Sequence, residues 1–156
     1  MLAGVGFSAQ GKFEGSYYRR TAESRAPDLA WMFEGIEDQE ILGDFGFSGG
    51  GAAGFELDRA DVRLGTPEEV RVVASSENHT SSFVLVPEEM LTHITNWPGE
   101  AEQQKLIRSD IVYFRTPSGG EVFSTGSITF CGSLPWNDFD NNISRLLENV
   151  IRRFLQ

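Results

Sequence analysis

Gly119-Gly-Glu-Val-Phe-Ser-Thr-Gly-Ser-Ile-Thr-Phe-Cys-Gly-Ser133 and Asp140-Asn-Asn-Ile-Ser-Arg-Leu-Leu-Glu-Asn-Val-Ile-Arg-Arg-Phe-Leu155 decide the fold class of this chain. The first stretch reads as a buried strand running into a Gly/Ser-rich loop, the second as a closing amphipathic helix. Ile143, Leu146, Leu147, Val150, Ile151, Phe154 and Leu155 follow the i, i+3, i+4, i+7, i+8 spacing of one helical face. Asp140, Asn141 and Asn142 offer side-chain oxygens to the unpaired N–H groups of the first turn. Arg152 and Arg153 lie where the carbonyl end of the helix dipole favours positive charge. Strand and helix together read as the last unit of an α/β domain, a layered sheet with flanking helices in a largely three-layered arrangement.

Composition permits that architecture. The 156 residues suffice for one domain with a proper core, and 40% apolar content with 12 Phe and 3 Trp supplies the surface to bury. Thirteen basic against 23 acidic residues leave a formal charge of −10. That balance repels a phosphate backbone and an anionic membrane, so neither nucleic acid nor membrane is an expected partner. A lone cysteine, Cys131, closes no internal disulfide, which suits a reducing cytoplasm or simply a fold that needs no staple. Met1-Leu-Ala-Gly-Val-Gly-Phe7 lacks the basic start and apolar run of a secretory leader. No stretch reaches the ~18 apolar residues of a membrane span. A cytoplasmic location is expected. Asn78-His-Thr80 and Asn142-Ile-Ser144 match the glycosylation sequon as chance matches, the second inside the expected helix.

Residues 1–11 hold three glycines and no periodicity, and are expected to form a frayed or disordered lead-in to a single α/β domain over 12–156. Lys12–Arg20 reads as a strand on the β propensity of Phe13, Tyr17 and Tyr18. Ala30-Trp-Met-Phe33 is a short helix or a buried strand, too short for periodicity to decide. Val70–Ala74 and Phe83–Val86 read as strands. Pro87–Ile94 reads as a short helix with Glu88 and Glu89 near its N-terminus, and Ala101–Ile107 as one or two helical turns. Ile111–Phe114 and Val122–Ser124 flank the turn signal Pro117-Ser-Gly-Gly120. Ile111–Phe114 is apolar on both faces, so both faces should be covered.

Gly43, Gly46, Gly49, Gly50, Gly51 and Gly54 crowd one short segment that needs positive φ angles or close backbone approach. Gly49-Gly-Gly-Ala-Ala-Gly54 is a literal G-x-G-x-x-G, but Phe55 to Leu64 carries no sustained helical stripe, as a dinucleotide site requires. A nucleotide-binding loop is therefore the most distant of three readings, behind a tight loop threading close to other backbone and the wall of a catalytic pocket with Glu56 pointing in. Phe55 and Leu57 would hold that carboxyl partly out of water, as acid/base work demands. Ser75-Ser76-Glu77-Asn-His79 clusters polar groups after an apolar strand, where ligands of layered folds gather, although Thr-Ser-Ser beyond it suits a solvated loop histidine. His93 falls in an expected helix as a surface or packing residue. The two histidines and Cys131 have no zinc-ligand spacing. Cys131 itself reads as a small buried apolar residue. Tyr17-Tyr18-Arg19-Arg20 offers phenol and anion-binding groups, but strand neighbours face opposite ways, so one Tyr at most serves a given site.

Tyr17-Tyr-Arg-Arg20, Phe33-Glu-Gly35, Gly43-Asp-Phe-Gly46, Gly49 through Glu56, Ala74-Ser-Ser-Glu77, Phe123-Ser-Thr-Gly-Ser127 and Asp140-Asn-Asn-Ile-Ser-Arg145 occur in that order. Together they resemble the C-terminal region of the N,N-dimethylformamidase large (beta) subunit family, from about residue 15 onward. The closing strand and helix are also similar to glutamine-amidotransferase-like domains, although that class's nucleophile–His–acid set is not recognisable. The resemblance implies an amidohydrolase that cleaves a small formamide to formate and an amine. It further implies an iron held by tyrosine and glutamate side chains, and an oligomer with a small partner subunit. The iron ligands are expected upstream of this chain, so no metal ligand and no cofactor are assigned within it. The family's essential glutamate in this region falls on Glu56, the expected catalytic residue. The rival reading is a scaffold or oligomerisation domain without chemistry of its own.

Overall fold

A computed structural model describes residues 2–87 and 99–156. Its framework is β1 (Gly6–Arg20), a strand of 15 residues long enough to serve two parts of the sheet. The first half pairs antiparallel with β2 (Ala53–Arg59), Gly6 opposite Arg59 and Ser16 opposite Ala53. The second half pairs with β3 (Arg71–Glu77), Tyr17 opposite Glu77 and Arg20 opposite Ala74. β4 (Val84–Leu85) adds to β1 at Ala9 and Gln10. β3 continues to β5 (Asp110–Arg115), and β5 to β6 (Glu121–Ser124), giving the order β2-β1-β3-β5-β6 with every pairing antiparallel. The sheet curls until its two ends meet. Ser127, just past β6, bridges Leu57 of β2, and the Asp58 N–H donates to the Gly126 carbonyl at 2.8 Å.

Helices α1 (Glu100–Leu106), α2 (Phe130–Ser133) and α3 (Asn142–Phe154) accompany the sheet, with 3₁₀ turns at Glu23–Arg25, Pro27–Phe33, Val62–Leu64 and Trp136–Phe139. Ala30–Phe33 thus resolves as 3₁₀ helix. The main core joins Tyr18, Val73, Ala74, Ile111 and Tyr113 of the strands to Leu29, Met32, Phe33, Leu42, Phe130, Ile143, Leu146 and Val150. Ile111 to Phe114 are all buried, as a strand apolar on both faces requires. A smaller cluster gathers Ala9, Leu57, Phe83 and Leu85.

The mixed α/β composition stands, but the strand expected to be buried before the Gly/Ser-rich loop is the half-buried β6, that loop ends in α2, and four further expectations change. First, the sheet is curled and antiparallel, not the core of a three-layered stack, because β1 bends across both halves. Second, β1 begins at Gly6, and Ser8 and Ala9 are fully buried, so the expected lead-in over 1–11 is ordered from that point by pairing with β2. Third, Cys131 is exposed, because α2 turns Phe130 and Ser133 inward instead. Fourth, α3 buries only Ile143, Leu146 and Val150 of its seven apolar positions, leaving Leu147 half-buried and Ile151, Phe154 and Leu155 exposed. Its 13 residues span about 20 Å, which carries the second half past the core it docks on. The expected helix over 87–94, with His93, lies outside the described residues apart from Pro87.

Candidate functional site

The register of β1 against β2 slips between Gln10 and Gly15, so Gly11–Glu14 bulge opposite the single residue Phe55. Phe55 sits at φ 61°, a left-handed conformation that a bulky side chain rarely adopts. The Phe13 ring of the bulge meets the Phe55 ring edge-on at 5.9 Å. Bulges of this kind re-aim the side chains beside them. Glu56 is the next residue, opposite Gln10.

Strand alternation puts Glu56 and Asp58 on one face of β2, with Leu57 on the other against Ala9, Phe83 and Leu85. Both acidic residues are half-buried, and neither carboxyl has a hydrogen bond or ion pair among the described residues. Burial, and after it the charge of Glu56, push the Asp58 carboxyl above the usual carboxylate range. The setting contrasts with Asp110, fully buried yet satisfied by the Ser75 hydroxyl at 2.6 Å, Arg108 Nε at 3.0 Å and the Ala60 N–H at 3.0 Å.

The glycine block explains the bulge. A Cβ on Gly54 would overlap the Glu14 carbonyl oxygen, and one on Gly51 the Ser16 carbonyl oxygen. The Gly15 N–H donates to the Gly49 carbonyl at 2.8 Å. Backbone lies directly on backbone here, the close-threading reading of the sequence. A strand, β2, leads out of the G-x-G-x-x-G, so the helix N-terminus that would receive a pyrophosphate does not form. The Ser127 hydroxyl clasps the same segment, accepting from the Gly54 N–H at 2.8 Å and donating to the Gly54 carbonyl at 2.9 Å.

Behind this site runs a set of buried hydroxyls. Tyr18 is fully buried, donating to the Thr125 carbonyl at 2.8 Å with the Ser109 hydroxyl 2.8 Å away. Burial pushes its phenol well above the ordinary value, so it is neutral and serves as no phenolate. Tyr17, its strand neighbour, faces the other way beneath Arg19, whose guanidinium lies 5.6 Å from the Tyr17 ring and pairs with Glu77. Arg20 covers the Phe33 ring at 4.0 Å.

His79 is not a solvated loop residue. Its Nε2 lies 2.6 Å from the Ser76 hydroxyl, its ring packs on Phe83 at 4.8 Å, and its buried Nδ1 has no partner among the described residues. Burial pulls its pKa down to about 4. Glu77 points outward to Arg19, so the two polar residues of that expected cluster part company. The Ser82 and Thr80 hydroxyls hold the Glu14 carboxyl below its usual range and tie the loop after β3 to the β1 bulge. Among the described residues no three His, Cys, Asp or Glu side chains gather in a group that could hold a metal ion. No helix among them is long and apolar enough to cross a membrane.

Asp58, Tyr18, Ser109 and Ser127 are the site members that sequence reading did not bring together. The alternation Glu56-Leu-Asp58 was a visible signal for the first. The other three come from three separate segments that only the curled sheet assembles.

Residues 1–142 match the family model described as "N,N-dimethylformamidase beta subunit-like, C-terminal". The chain is 39% identical over 153 residues to the N,N-dimethylformamidase beta subunit of Alcaligenes sp, and 40% identical over 155 residues to that of Paracoccus aminophilus. Each match covers 98% of this chain but 20% of the relative, so the chain spans about a fifth of the curated relatives it matches.

Proposed function

The chain belongs to the N,N-dimethylformamidase beta subunit-like C-terminal family, and from that premise we propose that it is the C-terminal domain of an amidohydrolase large subunit. The reaction is hydrolysis of the C–N bond of a small formamide to formate and an amine. Water adds to the carbonyl carbon, the C–N bond breaks, and one proton passes from the water to the departing nitrogen. Glu56 is the carrier: its carboxylate takes the proton as the C–O bond forms and returns it to the amine. The observation that carries this reading is the half-buried Glu56 carboxyl, without a partner among the described residues and presented beside the left-handed Phe55.

The resemblance implies iron in the full-length enzyme. The described residues gather no group that fits a metal, and the iron belongs in this reading to the remainder of the large subunit. The partners in this reading are that remainder, a small subunit and the amide substrate, in the cytoplasm. A second reading, an amidotransferase-like scaffold or oligomerisation domain, is favoured by the apolar side chains left uncovered on Phe47, Phe139, Ile151 and Leu155.

Glu56→Gln in the complete, metal-loaded enzyme preserves shape and removes the ionisable proton. Turnover is expected to fall about 10²–10⁴-fold with the thermal midpoint unchanged. Turnover within a few-fold of the parent would make Glu56 an ordinary strand carboxylate and leave the scaffold reading standing.

A further inference from the structure

Hydroxyls follow one another through the interior of the curled sheet, each bonded to the next or to backbone. His79 Nε2 lies 2.6 Å from Ser76 Oγ, and Ser76 Oγ accepts the Ser109 N–H at 2.7 Å. Ser109 Oγ lies 2.8 Å from the Tyr18 hydroxyl, which donates to the Thr125 carbonyl at 2.8 Å. The next two residues are fastened to β2. Gly126 accepts the Asp58 N–H at 2.8 Å, and the Ser127 hydroxyl clasps Gly54 from both sides. The path therefore runs unbroken from a histidine to the backbone two residues before and two residues after Glu56. Tyr18 and Ser109 are fully buried and Ser76 nearly so, which makes each link costly to leave unmade.

We infer that His79 is a positioning residue for Glu56, acting through Ser76, Ser109 and Tyr18 on the Thr125–Ser127 segment. The inference rests on the reading that Glu56 carries the proton. Its physical need is the left-handed Phe55, since strained backbone persists only where its surroundings over-determine it. The clasps at Gly54 and Asp58 bracket that residue. His79 supplies the far anchor. The imidazole Nε2 and Ser76 Oγ share one hydrogen bond in either ring tautomer, and that bond fixes the hydroxyl so that an oxygen lone pair stays turned toward the Ser109 N–H. Among the described residues the imidazole is faced by Ser76, by Glu14 from the β1 bulge and by Phe83 beyond the loop, and burial keeps the ring uncharged.

His79→Phe keeps a ring against Phe83 and removes the hydrogen-bonding nitrogen, whereas His79→Gln keeps a group able to donate or accept. In the complete enzyme His79→Phe is expected to lower kcat about 10- to 100-fold with KM nearly unchanged, and His79→Gln to recover most of it. In the 156-residue chain, hydrogen exchange at the Asp58 amide is expected to quicken about tenfold or more in His79→Phe while the α3 amides keep their protection. Ser76→Ala breaks the path one link further on and is expected to give the same pattern. Unchanged Asp58 exchange in both variants, or equal quickening of every amide, overturns the inference. A Glu56→Gln enzyme with parental turnover overturns the catalytic reading instead, and the exchange measurement still decides the coupling.

Discussion

His79 joins a titratable group to the fold's interior, and its burial has a measurable sign. The unfolded imidazole takes up its proton near 6.5, the folded one only near 4. Between those values the unfolded state holds more protons, so stability present above the upper value is lost as pH falls toward the lower one. His79→Gln is expected to remove this component. Urea midpoints at several pH values between about 7 and 4.5 should therefore fall less steeply in the variant than in the parent. An identical slope would place His79 in water. At this scale the glycine block and Glu56 were legible in sequence, because glycine density announces backbone contact whatever it touches. The inward turn of His79 was not legible, since Thr-Ser-Ser after it looks like any polar loop. Those hydroxyls in fact serve Glu14, from the far side of β1.

Helix α3 shows how far periodicity carries. Its stripe, its Asn141 cap on the Ser144 N–H at 2.9 Å and its two terminal arginines all appear as the sequence has them. Asn142 was read as a second cap, but its side chain bonds instead to Gly43, Glu40 and Ile41, stitching the helix start to the glycine-rich segment. The stripe describes what the helix can bury; the length of the core decides what it does bury. Leu146→Ala should cost about 2–5 kcal/mol, as a fully buried leucine does. The half-buried Leu147 should cost less than Leu146 on the same change, and Ile151→Ala, an exposed site, should stay within about 0.5 kcal/mol. Equal losses at Leu146 and Ile151 in chemical denaturation would show that the outer half of the stripe is covered in solution.

Across the whole molecule, closure of the sheet rests on a few buried polar ties. Asp110 joins β3 through Ser75, the chain after β2 through the Ala60 N–H, and Arg108 beside it. Asp110→Ala strands those donors in the interior, and a loss of about 3 kcal/mol or more is expected, read as a lowered unfolding midpoint. A change under about 0.5 kcal/mol would mean water replaces the carboxylate without cost. Sequence alone determined the strands around Tyr17, Val73, Ile111 and Val122, the closing helix, the two-sided burial of β5 and the family, because each rests on local spacing or on residue identity in order; it assigned neither the strand β2 nor the helix α2, and left Ala30–Phe33 open. The tertiary structure decided that the sheet is antiparallel and curled, that residues before Lys12 extend β1, and that hydroxyls from β1, β3, the residue before β5 and the segment after β6 come together beside β2. Those outcomes depend on which strands pair, and pairing between segments far apart in the chain leaves no periodic mark in any one of them.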